Sequence, residues 1–346
     1  MLPCCHGDVL PGCRAGRRAG PELVPAVVTN WLAELDGRRI TVEVPATSAN
    51  LGAGFDCLGL ALGLANRVAL EVRSWSRGEI ELTVDGEGAG ELTEDRDNRF
   101  VRGLEAAVTE TRGELPTGVG WRIEMRNQIP LARGLGSSAA ATVAGILAGN
   151  ALAGDPLESA DILRIATAIE GHPDNAAAAL LGGFVVSAEI DGRIEAVRFD
   201  APRDLRAVLY VPDLRLSTDA MRTVLPDSVP RRDAVANLGR VALGVAGIAT
   251  RRTDLLAALT VDRLHEPYRA DVYPQLPRFV AAAREAGALG ACLSGAGSTI
   301  VAFSSSVAGI TRIEAAFGAA AADADLPGRV VVASPRNGGA RIVSRE

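Results

Sequence analysis

Apolar and polar residues alternate along ITVEV (Ile40 to Val44), NRVALEV (Asn66 to Val72) and EIELTV (Glu79 to Val84), which predicts three β-strands. Asp97 is placed to cap a helix through FVRGLEAAVTE that ends near Gly113, and WRIEMRN (Trp121 to Asn127) predicts a fourth strand. A glycine-rich segment follows, and after it an alanine-dominated helix from about Ser137 to Leu152. Asp155-Pro156 opens a second helical region that reaches Glu170, HPDNAAAALLGG holds a short third helix, and FVVSAEI (Phe184 to Ile190) is a strand. A hinge is expected at Asp200-Ala201-Pro202, followed by the strand LRAVLYV (Leu205 to Val211). Helical patterns then fill about Thr218 to Ala258 and Tyr273 to Ala286. ALGACLSGAGSTIVAF reads as strand, glycine turn, strand, and the tail adds a helix and the strand VVVAS. Strands and helices are mixed without a regular βαβ alternation, so an α+β fold in two domains, 38–200 and 201–346, is expected over a doubly wound sheet.

Composition removes several function classes. The 346 residues are enough for two domains, with 48% apolar and only 4% aromatic residues. No apolar run reaches the ~18 residues of a transmembrane candidate, and a net charge of −6 argues against a nucleic-acid or membrane-surface partner. All 36 basic residues are arginine. Without lysine there is no Walker-A lysine, no protein-kinase strand lysine and no Schiff-base nucleophile. Cys4, Cys5, Cys13, Cys57 and Cys292 form no disulfide framework, and His6, His172 and His265 lie too far from them in sequence for zinc-ligand spacing. Cys57 and Cys292 read as small buried fillers, and a reducing cytoplasm is the expected compartment. Residues 1–37 carry proline and glycine throughout without the apolar core of a signal peptide, and are expected to be a disordered extension before a folded part beginning near Arg39.

PLARGLGSSAAATVAG (Pro130 to Gly145) places flexible glycines directly before a strong helix former, with Arg133 its only charge. GLGSSA matches a dinucleotide fingerprint, but no strand ending in an acidic residue follows it, so that reading fails on context. What survives is anion binding: glycines let backbone N–H groups converge, and the helix start adds its positive end. Ser137 and Ser138 offer hydroxyls that can cap the helix or ligate a magnesium ion. A second cluster, PATSANLGAGFDCLG (Pro45 to Gly59), packs Thr47, Ser48, Asn50 and Asp56 among glycines in what reads as a loop. A third, LSGAGSTIVAF (Leu293 to Phe303), puts Ser294-Gly295-Ala296-Gly297 between two apolar strands.

Together the three clusters resemble the GHMP kinases, most specifically in the P-x-x-x-G-L-G-S-S-A-A pattern at Pro130 to Ala140 and LSGAGST at Leu293 to Thr299. PATSANLGAGFDCLGLAL is similar to the opening motif of that family's homoserine kinases, and EGHPDN (Glu170 to Asn175) to their actinobacterial form. The resemblance spans roughly Arg39 to the C-terminus. It implies a ribosomal-protein-like α+β domain followed by a ferredoxin-like one, with the active site between them. It also implies transfer of the ATP γ-phosphoryl group to the side-chain hydroxyl of L-homoserine, in threonine biosynthesis. Pro130, Gly134, Leu135, Gly136, Ser137, Ser138 and Ala139 would wrap the triphosphate, with Asn66 near the nucleotide, and Ser138 and Glu170 would hold Mg2+.

The resemblance places Asn50 and Asp56 at the substrate ammonium, and Thr218, Arg222 and Arg269, with Ser294 and Gly295, around the substrate. Arginine suits a carboxylate because its fork makes two bonds. His172, Asp174 and Asn175 would lie by the reacting hydroxyl, where some relatives use an aspartate base and a lysine. With no lysine available, Asn175 orienting the hydroxyl without a strong base is the preferred expectation, against Asp174 as base. A dimer is common among such kinases. The rivals are a mevalonate-type or sugar-alcohol kinase, a non-catalytic nucleotide-binding regulator on the same fold, and, more distantly, a nicotinamide-dependent dehydrogenase.

Overall fold

The computed structural model describes residues 31–346 except 75, 116 and 117. Its first half runs β1 (Arg39–Ala49), β2 (Leu58–Arg73), β3 (Ile80–Gly86), α1 (Arg99–Arg112), β4 (Gly120–Asn127), α2 (Ser137–Leu152), α3 (Ser159–Glu170), α4 (Asp174–Leu181), β5 (Phe184–Ile190) and β6 (Arg193–Phe199). The second runs β7 (Arg206–Pro212), α5 (Thr218–Thr223), α6 (Arg231–Thr250), α7 (Leu256–Leu259), α8 (Glu266–Arg269), α9 (Leu276–Glu285), β8 (Gly290–Leu293), β9 (Ile300–Ser304), α10 (Val307–Asp323), β10 (Gly328–Ala333) and β11 (Arg341–Arg345). The fold is α+β, built on two sheets.

The larger sheet has the order β11-β1-β2-β4-β3, with β5 and then β6 attached to the other end of β2. β2 is long enough to serve two neighbours: Arg67–Arg73 pairs with β4 and Leu58–Leu60 with β5. α2 packs on this sheet beside α1, α3 and α4. Its sequence SSAAATVAGILAGNAL is dominated by small, strong helix formers and has almost no polar face, as a helix buried on all sides requires. The smaller sheet, β10-β7-β9-β8, closes a β-α-β-β-α-β unit of the ferredoxin-like kind, with α9 and α10 packed together on one face. Along β7, Val208 and Tyr210 point into the cluster with Phe279 and Phe317, whereas Ala207, Leu209 and Val211 join the main core. Burial on both faces is why LRAVLYV is apolar without alternation.

Several expectations change. Asn98, not Asp97, caps α1, its Oδ1 accepting from Phe100 N at 3.0 Å. The helical stretch expected over Thr218 to Ala258 is broken after Thr223, where Pro226 and Pro230 exclude a continuous helix. PATSA belongs to β1 and not to a loop. β6 and β11 were not foreseen: RIEAVRF lies largely exposed and RIVSR is short and polar. β11 pairs antiparallel with β1, so the last strand of the chain belongs to the first sheet and lies apart from the rest of 201–346. The folded part also starts before Arg39: Leu32 is fully buried, and the Arg112 guanidinium lies 4.7 Å from the Trp31 ring. Residues 1–30 of the expected extension lie outside the described residues. No helix among the described residues is long and apolar enough to cross a membrane.

Glu43 ties this arrangement together electrostatically. On β1 it accepts from Arg67 on β2 at 2.7 Å, from Arg336 at 2.8 Å and from Arg341 on β11 at 3.1 Å. Burial alone would raise its pKa, but the three guanidiniums pull it down to about 2. A carboxylate depressed in the fold adds stability that is present above its unfolded pKa and lost as pH falls through the folded value. Glu43→Gln is therefore expected to cost about 2–3 kcal/mol at pH 7 in denaturant titrations, with the gap to wild type closing as pH falls from about 4.5 towards 2. A gap independent of pH would show that the cluster acts by packing alone.

Candidate active site

The end of β1, the segment before α2 and the turn between β8 and β9 interlock where the two sheets meet. Thr47 N donates to Leu135 O at 3.1 Å, Gly295 N to Ala49 O at 3.0 Å and Thr299 N to Arg133 O at 3.1 Å. The Ser294 hydroxyl reaches Gly134 O at 2.7 Å and Ser48 Oγ at 2.8 Å. A Cβ on Gly134 would stand 2.1 Å from Ser294 O, so a side chain there would force the two segments apart. Arg133, the only charge in the segment, donates to Pro212 O at 2.7 Å and Asp213 O at 3.1 Å. Its cation bolts the loop to the end of β7.

This interlock leaves the start of α2 open. Gly136 is the N-cap residue in a left-handed conformation (φ 69°), and a Cβ there would lie 1.9 Å from Thr47 Oγ1. The first turn-closing bond of the helix is Ala140 N to Gly136 O, at 2.8 Å. The Ser137, Ser138 and Ala139 amides therefore have no carbonyl one turn back, and they carry the positive end of the helix. Contrary to one sequence expectation, neither serine caps the helix. Ser138 Oγ instead donates to Glu170 Oε1 at 3.0 Å, where Thr142 Oγ1 also donates at 2.7 Å. Arg99 Nη1 stands 3.7 Å from the same oxygen. Glu170 is thus held at the end of α3 and is no freely solvated helix terminus. Hydroxyl and carboxylate oxygens of this kind suit a hard cation such as magnesium.

A cavity of about 200 Å³ runs from these amides to a charged cluster. There Arg222 forks onto Asp56, with Nη1–Oδ2 3.0 Å and Nη2–Oδ1 2.6 Å. That hydrogen bond, ahead of the opposing effect of burial, raises the Arg222 pKa. Asn50 braces the loop, accepting from Asp56 N at 3.0 Å and donating to Gly295 O at 2.8 Å. Arg269 is 1% exposed, and burial, aided by nearby Arg222, lowers its pKa to about 10. The Phe55 ring centroid is 5.5 Å from the Arg222 guanidinium and 5.4 Å from that of Arg269. Between the two ends, His172 Nδ1 lies 2.8 Å from Asp174 Oδ1. Burial works against the imidazolium, but the bond to Asp174 and its charge more than offset this and raise the His172 pKa. Asp174 Oδ1 also accepts from Asn175 N at 2.7 Å, and Asn175 Oδ1 accepts from Thr47 Oγ1 at 2.7 Å.

The cavity gathers Asn50, Asp56, Pro130, Gly134 to Ala139, Glu170, His172, Asp174, Asn175, Thr218, Arg222, Arg269 and Gly295. Two candidates do not line it. Asn66 accepts from Gln128 N at 2.9 Å and Ile129 N at 3.0 Å, so its amide holds the chain entering the glycine segment. Ser294 is fully buried and its hydroxyl is committed to the interlock. Thr142, Phe55 and Arg99 were missed. Thr142 could have been found, since it follows Ser138 by four residues on one helical face. Phe55 is a lone aromatic within a polar loop, whereas nothing in the local sequence marks Arg99.

Comparison with known proteins identifies the family and agrees with the fold. The GHMP kinases N terminal domain profile matches residues 98–183, and the GHMP kinases C terminal profile residues 246–322. Homoserine kinase of Moorella thermoacetica is 45% identical over 262 residues, covering 76% of this chain and 86% of that one. Homoserine kinase of Corynebacterium efficiens is 45% identical over 275 residues, 78% of this chain and 86% of its own. The crystal structure of homoserine kinase from Cytophaga hutchinsonii superposes with a TM-score of 0.77 at 32% identity, covering 88% of this chain and 97% of that one. With the two-sheet fold, the interlocked glycine segments and these relatives together, the chain belongs to the GHMP kinases, and within them to the homoserine kinase family.

Proposed function

We propose that the protein is an ATP-dependent homoserine kinase, converting L-homoserine to O-phospho-L-homoserine. One observation carries the reading beyond family membership. A single cavity has an open helix N-terminus at one end and a carboxylate with two guanidiniums at the other. The first end suits a polyphosphate and the second a zwitterionic amino acid.

In this reading the backbone from Gly134 to Ala139 wraps the ATP phosphates, while Ser138 and Glu170 hold Mg2+. The ion would neutralise charge on the phosphate oxygens, which together with positioning is most of what phosphoryl transfer asks of a protein. Asp56 receives the substrate ammonium, and Arg222 and Arg269 its carboxylate. The Asp56–Arg222 pair then exchanges one internal ion pair for two with substrate, keeping both charges matched throughout. Asn175, held by Thr47 and by Asp174, orients the reacting hydroxyl. Asp174 Oδ1 is already engaged by His172 and by the backbone and side-chain amides of Asn175, which favours an orienting role over that of a strong base. The hydroxyl proton passes to a phosphate oxygen or to water.

ADP release with magnesium-ATP is expected for L-homoserine and not for mevalonate, L-serine or a sugar. Turnover of another member of that panel would remove the roles of Asp56, Arg222 and Arg269, and ATP binding without any turnover would favour a regulator. Asp174→Asn is expected to keep turnover within about tenfold of wild type, because a general base is worth roughly 100- to 10,000-fold. A thousandfold loss would restore Asp174 as the base. Glu170→Gln should raise the magnesium concentration for half-maximal rate by about tenfold or more. An unchanged magnesium dependence would take Glu170 out of the metal site.

A further inference from the structure

Buried cations are ordinarily paired with carboxylates, because an uncompensated charge away from water is costly. Arg269 departs from that rule. Its Nε donates to Met221 O at 3.1 Å, and its Nη1 donates to Gly295 O at 3.0 Å and lies 3.0 Å from His265 Nδ1. Each of these acceptors is neutral. Nη2 has no protein acceptor among the described residues, and Arg269 lines the cavity.

The chemistry of the contact sets the state of His265. A guanidinium is donor only, so His265 Nδ1 is the unprotonated nitrogen. The one proton of a neutral ring then sits on Nε2, which donates to Gly52 O at 2.9 Å. His265 is fully buried, and its ring stacks on Phe55 with centroids 5.0 Å apart. Burial is the main reason its pKa falls to about 4, with Arg269 acting in the same sense and Asp262 and Asp56 against it. The Asp262 carboxylate stands 3.8 Å from Nε2 and is itself committed to Asn237 and to the Leu264, His265 and Glu266 amides. No carboxylate makes an ion pair with Arg269 among the described residues.

We propose that His265 is a positioning residue for substrate recognition, a neutral acceptor that orients Arg269 so that its unspent N–H groups and its full charge meet the substrate carboxylate. A carboxylate in the place of His265 would hold the guanidinium as firmly but cancel the charge that selects the ligand. The proposal rests on the amino-acid kinase reading above, yet the state of the imidazole can be tested without it.

In the protein labelled with 15N-histidine, the signal lost in His265→Gln should report a neutral ring protonated on Nε2 down to about pH 5. A charged ring at pH 6, or a proton on Nδ1, would overturn the proposal whatever the substrate. Kinetics give the second arm. The nitrogen of Gln can reproduce the Nε2–H bond to Gly52 but offers no acceptor at the Nδ1 position, whereas the oxygen of Asn can stand at Nδ1 and leaves Gly52 unserved. His265→Gln should raise KM for L-homoserine roughly 10- to 100-fold, with kcat and the KM for ATP within about threefold. His265→Asn should recover most of that loss. The reverse order, or an equal effect on both substrates, would make His265 only a prop for the Gly52 loop. Absence of wild-type turnover with homoserine would sink the kinase reading, while the NMR arm still decides whether His265 is the neutral acceptor described.

Discussion

The contact between Gly134 and Ser294 is the constraint on which the rest of the site depends. Backbone from the segment before α2 meets backbone from the β8–β9 turn so closely that a single Cβ would stand 2.1 Å from a carbonyl oxygen. The β8–β9 hairpin of the smaller sheet and the start of α2 are thereby referred to one point. Thr47 presses against Gly136 on the other side, and the N-terminus of α2 faces the cavity. The proposed anion site rests on this close packing as well as on the helix dipole.

A chain without lysine must give all its cationic work to guanidinium groups, and four of them near the cavity divide that work by their surroundings. Arg133 is bound to main-chain carbonyls and acts as a bolt. Arg99 backs the Glu170 carboxylate. Arg222 is held bidentately by Asp56, the pair that the proposed function assigns to the zwitterionic substrate. Arg269 is caged by neutral acceptors and keeps its charge unspent. A rigid planar fork with fixed donor directions makes such a division possible, where a flexible ammonium would be less sharply directed.

Much of the site was legible because its chemistry is written in contiguous motifs. Gly134 to Ala139, Glu170 to Asn175 and the Asn50–Asp56 loop each carry their functional groups within a few residues. Asn66 shows the limit of that approach. It is a polar residue in an apolar strand, which marks it as special, but its partners are the Gln128 and Ile129 amides from a distant strand end, and its role is to shape the loop. β11 shows the same limit for the fold: five residues, RIVSR, carry too little pattern to be told from a loop, and β1, nearly 300 residues earlier, makes them a strand.

By itself the sequence determined the order of most of the main elements, the α+β class and the open glycine segment before α2, because these depend on local periodicity and on short motifs, whereas Asp56, Arg222 and Arg269 stood out as substrate groups only through the resemblance to the kinase family. Tertiary structure alone decided which groups oppose one another: that Asp56 and Arg222 face each other, that Glu170 meets Ser138 and Thr142, and that His265, unremarkable in the sequence, accepts from Arg269. The first two sets of partners belong to separate segments that only the fold brings together, Asp56 and Arg222 being 166 residues apart and Ser138 and Glu170 32 residues apart, and the tautomer of a buried histidine is set by its neighbours in space.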